Sequence, residues 1–320
     1  MKDKQQLLRL ALRAAIEAGR EVLDVYAREF SVKEKEDRSP LTEADTRSHD
    51  KIEAILKAGS PGIPILSEEG ATIPYEERKD WQLFWMIDPL DGTKEFIKKN
   101  GEFTVNIALM AAVRGAGGQA ADAAGGAGPK AGNHGANGAS PGAATHHGAV
   151  PVAGVVYAPY LEELFVGSRE LGAYRARCAA SERCPELEDL SVAGEKLPAP
   201  AAGRPYTIVA SRSHMTPETS AFVEARRAEH PDLELVSAGS SLKLCRVADG
   251  SADEYPRFAP TMEWDTAAGD AVARAAGCEV LRWGAEDGAP HGPLSYNKPD
   301  LHNPWFLVRA TGLSRPTRPI

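Results

Sequence analysis

Four cysteines in 320 residues, at positions 178, 184, 245 and 278, match no zinc or redox spacing. Their scarcity excludes a disulfide framework and fits reduced thiols in a cytoplasmic protein. No apolar run reaches spanning length, so no segment reads as an integral membrane anchor. Basic residues are in deficit, 37 Lys and Arg against 45 Asp and Glu, for a formal charge of −8. That balance excludes a general surface for nucleic-acid polymers and leaves room only for a local basic pocket. The first residues, "MKDKQQLLRLALRAAIEAGREVL", are charged throughout and lack the form of a signal peptide. Leu8, Ala11, Ala15, Ala18, Val22 and Val25 recur at helical spacing there. This is an amphipathic helix packed on a core; no basic face accompanies its apolar stripe, which argues against membrane-surface binding.

What is present is the composition of an ordinary globular protein, 42% hydrophobic and 26% charged, long enough for two domains sharing an interface. A charged loop leads into a second helix, and short apolar strands follow at "IPILSEEG", "QLFWMIDPLDG" and "FTVNIALMAAV". From about Tyr206 strands alternate with helices, as in an α/β layer. The expected organisation is an α+β half over residues 1–205 and a smaller α/β half over 206–320. Residues 114–150 fit neither: rich in Gly and Ala with little to bury, they read as a flexible insertion. His134, His146 and His147 within it read as solvated.

The stretch "WMIDPLDGTKEF" ends an apolar strand in two carboxylates, Asp88 and Asp91, on a Pro/Gly turn. Buried acids are costly unless compensated, and an Asx-turn accounts for one of them but not both. Three further acids sit at element boundaries: Asp45 in "SPLTEAD", Glu68 in "LSEEG" and Asp265 in "EWDTAAGD". Taken singly, Asp265 reads as a helix N-cap, Glu68 as a surface acid and Asp45 as a solvated helix residue. Oxygen ligands without His or Cys select magnesium, manganese or calcium over zinc. The two aspartates and the Leu90 carbonyl suit a pair of neighbouring ions. Gly92 and Thr93 open a following helix, whose amides suit a phosphate. Together these point to metal-assisted phosphate ester hydrolysis.

"SPLTEAD", "LSEEG", "WMIDPLDGT" and "EWDTAAGDAV", in that order, resemble the magnesium-dependent, lithium-sensitive phosphatases of the inositol monophosphatase-like superfamily. Within it, "DPLDGTKEFI", "FTVNIAL", "GVVYAP", "VASRSH" and "GSSLKLCRVADGSADEYPRF" resemble 3′(2′),5′-bisphosphate nucleotidases of the bacterial CysQ type. The resemblance covers everything except the insertion. It implies a layered α-β-α-β-α sandwich of α+β and α/β parts. It also implies two or three magnesium ions: Glu68, Asp88 and the Leu90 carbonyl for the first, and Asp88, Asp91 and Asp265 for the second. Glu68 would help a third through water. Thr93 and Asp45 would be the dyad that activates water, and the Gly92 and Thr93 amides would bind the scissile phosphate.

By the same resemblance Ser211 and His214 lie near the nucleotide, Ser240 contacts it, and Lys243 and Arg257 face its second phosphate. Arg suits an oxyanion through its planar fork, whereas inositol monophosphatases carry an acid at the position of Arg257. The expected reaction is loss of the 3′-phosphate of adenosine 3′,5′-bisphosphate to give AMP, with the 3′-phosphosulfate analogue as a second substrate, in sulfur assimilation. A sugar- or inositol-phosphate phosphatase and a non-catalytic nucleotide-binding regulator stay open, as do a homodimer and peripheral attachment to the inner membrane.

Overall fold

The computed structural model describes residues 3–34, 40–113, 148–211 and 215–311. Helix α1 (Lys4–Tyr26) starts where the Asp3 carboxylate accepts from Gln5 N, and its apolar stripe is buried throughout, as the spacing predicted. Strands β1 (Val32–Glu34) and β2 (Pro40–Thr42) pair antiparallel and lead into α2 (Glu43–Gly59). β3 (Ile65–Ser67), α3 (Tyr75–Arg78), β4 (Leu83–Asp91) and α4 (Thr93–Ile97) follow. Next come β5 (Thr104–Ala112), β6 (Ala149–Ala158), β7 (Glu163–Ser168), β8 (Gly172–Arg177), α5 (Leu187–Ala193) and β9 (Glu195–Lys196). The remainder runs β10 (Thr207–Ser211), α6 (Pro217–Glu229), β11 (Glu234–Ala238), α7 (Leu242–Ala248), β12 (Glu254–Arg257), α8 (Trp264–Ala275), β13 (Glu279–Trp283), β14 (Pro290–Pro293) and β15 (Phe306–Arg309).

Among the described residues, β3 to β9 form one seven-stranded sheet in sequence order, antiparallel except for the parallel pair β3–β4. The second sheet runs β11-β10-β12-β15-β13-β14, with β10 parallel to both of its neighbours. Alternation along the first sheet sends Trp85, Ile87, Val105, Ile107 and Val155 into a core shared with α1 and α2. Phe84, Met86, Ala108, Met110 and Val156 face the other way, into a core completed by α7, α8 and the second sheet. α6 covers the far face of that sheet, through Phe222 and Val223 against Ile208 and Leu307. The result is the expected α-β-α-β-α layering.

Helix α8 ties the layers together, because a Cβ at Gly154 on β6 would sit 2.5 Å from the Ala268 carbonyl oxygen. Only glycine allows that approach, and it fixes the end of α8 that carries Asp265 over the seven-stranded sheet. The insertion begins and ends on paired strands: β5 and β6 are antiparallel, and Val113 N donates to the Gly148 carbonyl at 2.8 Å. Ala149 and Val150, assigned to the insertion from composition, belong instead to β6, where they pair with Ala112 and Ala111. Residues 114–147, including the three histidines, lie outside the described residues. Among the described residues, no helix is long and apolar enough to cross a membrane.

Candidate active site

Strand β4 is apolar because both of its faces are covered, and its ladder with β5 breaks between Asp88 and Asp91. That irregularity turns both carboxylates toward one cavity of about 440 Å³. Glu68, Leu90 and Asp265 line the same cavity, so residues separated by nearly two hundred positions converge. Asp88 Oδ1 accepts from Leu90 N at 3.1 Å, the Asx-turn expected for one acid of the pair. Its other oxygen, Oδ2, is buried with no hydrogen-bond partner. Burial holds the Asp88 carboxyl well above the ordinary range, and the neighbouring Glu68, Asp91 and Asp265 charges add to this. Asp265 is likewise pushed up to about 8, by burial first and then by Asp91.

Asp265 is not the N-cap of α8. Glu263 holds that place, and Asp265 lies inside the first turn with Oδ2 accepting from Met262 N at 2.9 Å. Glu263 is fully buried and accepts from Asn297 N at 2.6 Å and Lys298 N at 3.1 Å. Nor is Asp45 solvated: at 1% exposure it completes the capping box of α2 with Thr42. Asp45 stands behind Thr93, whose Oγ1 is 3.3 Å from Asp45 Oδ1 and 3.3 Å from the Leu90 carbonyl oxygen. Between them Gly92 adopts φ of 88°, a left-handed turn that a side chain would strain.

The acids fit a divalent cation by their chemistry: a buried, unpartnered carboxylate oxygen among like charges lacks a positive partner. Among the described residues, however, no three His, Cys, Asp or Glu side chains stand close enough together to hold a metal ion as they are placed. The structure gives positioning roles to two residues inside the quoted motifs that the sequence alone left without one. Ser241 Oγ lies 2.7 Å from Asp91 Oδ2 and 2.6 Å from the Asp265 carbonyl oxygen. Asn106 Nδ2 donates to Ser241 Oγ at 2.8 Å, so the three fix the Asp91 carboxylate to both halves of the site.

Ser211, Ser240, Lys243 and Arg257 line the same cavity. His214 lies outside the described residues. Lys243 is buried, and its ammonium donates to the Ala238 and Ser240 carbonyls. Burial pulls it down to about 8, partly offset by the Asp91 charge. Arg257 donates from Nη2 to the Pro260 carbonyl at 2.8 Å, while its buried Nε has no partner.

The sequence profile of the inositol monophosphatase family matches residues 3–121 and 143–310. The chain belongs to the inositol monophosphatase family. Among curated members, the 3′(2′),5′-bisphosphate nucleotidase CysQ of Escherichia coli K12 is 37% identical over 294 residues, covering 91% of this chain and 94% of that protein. A crystal structure of CysQ from Bacteroides thetaiotaomicron, a bacterial member of the inositol monophosphatase family, superposes with a TM-score of 0.75 at 42% identity. It covers 96% of this chain and 98% of its own. An inositol monophosphatase from Anabaena shares the family fold, with a TM-score of 0.60 at 21% identity over 96% and 92% of the two chains.

Proposed function

We propose that this family member is a magnesium-dependent phosphatase that removes the 3′-phosphate of adenosine 3′,5′-bisphosphate, yielding AMP and phosphate. The similarity to CysQ nucleotidases supports the reaction class. The observation that carries the substrate assignment is Arg257, a buried guanidinium with an unpaired Nε on the wall of the cavity that holds the acids. A cation buried with a free donor suits a second phosphate, and a monoester has none to offer.

Glu68, Asp88, Asp91, Asp265 and the Leu90 carbonyl would hold two magnesium ions, with Glu68 serving a third through water. Magnesium bound there supplies positive charge for the phosphoryl oxygens and acidifies water. The protein's own residues do the rest. Asp45 accepts the hydrogen of Thr93 Oγ1, and Thr93 in turn orients a water and relays its proton. That water attacks phosphorus in line and the bond from phosphorus to the ribose 3′-oxygen breaks; the departing 3′-oxygen takes its proton from a solvent water, and Asp45 returns the proton it received to solvent. The amides of Gly92 and Thr93 hold the phosphoryl group during transfer.

The phosphosulfate analogue offers the same 3′-phosphate and is a second substrate, which places the enzyme in sulfur assimilation. A cytoplasmic location and a homodimer complete the proposal. The second reading, an inositol or sugar monophosphate phosphatase, follows from the breadth of the family. A phosphate-release panel separates the two, using the bisphosphate nucleotide, its phosphosulfate analogue, inositol 1-phosphate and fructose bisphosphate, each with and without magnesium. Preference for the nucleotides supports the proposal; preference for inositol 1-phosphate rejects it.

A further inference from the structure

Glu95 borders the cavity from α4, and the chemistry described so far leaves it unused. The residue is 7% exposed, and its Oε2 is buried with no hydrogen-bond partner. The same oxygen is 3.8 Å from the Lys98 ammonium, an ion pair too long for a hydrogen bond, and the Lys98 side chain is 60% exposed. Ser240 Oγ is a second buried polar atom without a partner, on a residue held at φ of 44°. Both flank the turn assigned to the phosphate. A Cβ at Gly92 would meet Ser240 Cβ at 3.3 Å, and one at Gly239 would meet Glu95 Cγ at 3.0 Å. Glu95 N also donates to the Gly92 carbonyl at 2.8 Å, which fixes the acid to that turn.

A buried acceptor left without a donor is costly, so a carboxylate kept here calls for a donor that arrives with the ligand. Phosphate oxygens cannot serve, because they carry the same charge. A neutral hydroxyl on the carbon beside the phosphate ester can: it donates to Glu95 and accepts from Ser240. In a nucleoside 3′-phosphate that group is the ribose 2′-hydroxyl. We propose that Glu95 and Ser240 read the hydroxyl vicinal to the scissile phosphate, so that the enzyme selects ribonucleoside over 2′-deoxyribonucleoside 3′,5′-bisphosphates. A substrate with a phosphate in place of that hydroxyl is rejected by like charge. The inference rests on the nucleotide substrate proposed above and names the part of it that Glu95 recognises.

The test measures magnesium-dependent phosphate release from adenosine 3′,5′-bisphosphate and its 2′-deoxy analogue by the wild type, Glu95→Ala and Glu95→Gln. The wild type should favour the ribonucleotide in kcat/KM by ~10–100-fold, the worth of one hydrogen bond to a charged group. Glu95→Ala should bring the two substrates within about threefold, by slowing the ribonucleotide alone. Glu95→Gln keeps the shape and a weaker acceptor, and should lower the ratio several-fold; it decides the matter if Glu95→Ala does not fold. A wild-type ratio within about threefold overturns the proposal and leaves the nucleotidase reading standing. A ratio unchanged in the variants does the same. Release from neither nucleotide, with release from inositol 1-phosphate, overturns both.

Discussion

Replacing Asp45 with Asn separates the chemistry of the site from its stability. Asp45 Oδ2 accepts from Thr42 N and Thr42 Oγ1, each at 2.7 Å, while Oδ1 faces Thr93 Oγ1. Asn offers one acceptor oxygen, and the two Thr42 donors claim it, since the opposite rotamer sets N–H against N–H. The Asn amide then donates to Thr93 Oγ1, and the threonine can no longer hand its hydrogen to position 45. Loss of general-base assistance should lower kcat by at least about 100-fold. Stability responds differently. Burial raises the Asp45 carboxyl from 3.8 to about 6, against the hydrogen bonds from Thr42 that pull it down. A carboxyl raised in the folded state contributes stability that is complete below its unfolded pKa and lost as pH rises through its folded pKa. Two units correspond to about 3 kcal/mol, lost between about pH 4 and pH 6 and constant above. Asn has no such loss, and like the protonated acid it keeps a neutral acceptor oxygen for the two Thr42 donors. The variant should therefore gain on the wild type by about 3 kcal/mol as pH rises from about 4 to 6, with no further change up to pH 8. Thermal melts in chelator across that range and kcat–pH profiles in magnesium read both effects. The wild-type profile should show an acid limb at or below about pH 6 that the variant lacks. Turnover within about threefold of wild type, with the limb intact, would refute the dyad.

Three other substitutions test the rest of the site. Asp88→Asn removes a buried like charge, so in chelator it should melt higher than wild type by the equivalent of about 1–3 kcal/mol. The same variant should lose the magnesium-induced rise in Tm and nearly all turnover. Ser241→Ala should raise the magnesium concentration for half-maximal activity by ~10–100-fold, because Asp91 loses its orienting hydroxyl. Arg257→Ala should raise KM for the bisphosphate by ~10–100-fold while leaving turnover of adenosine 3′-monophosphate near wild type.

Local chemistry explains which parts were legible in the sequence. The carboxylates of β4 stood out because acids ending a buried strand are anomalous within a few residues of chain. Asp45 and Thr93 are 48 positions apart, and each alone has an ordinary explanation. Their pairing came from the family resemblance, and the packing of α2 beside β4 supplies its physical basis. Composition placed the end of the insertion two residues late, because Ala149 and Val150 look like the Gly/Ala tract until β5 pairs with them. Strand β12 carries Pro256 and three polar or aromatic neighbours, a weak strand signal that succeeds because β10 and β15 flank it. Ser241, Asn106, Glu95 and Glu263 lie inside the quoted motifs, yet their roles were not legible for a common reason. Their roles depend on partners from other elements, and nothing in local spacing records those contacts.

Under the proposed function, the acids of β4 and α8 carry out magnesium-dependent removal of a 3′-phosphate. Its most direct test is to follow adenosine 3′,5′-bisphosphate with the purified enzyme, identifying the nucleotide product in magnesium and in excess chelator. In magnesium the product should be adenosine 5′-monophosphate with an equal amount of phosphate, and in chelator there should be no turnover. Adenosine 3′-monophosphate as the product, or equal turnover in chelator, would contradict it.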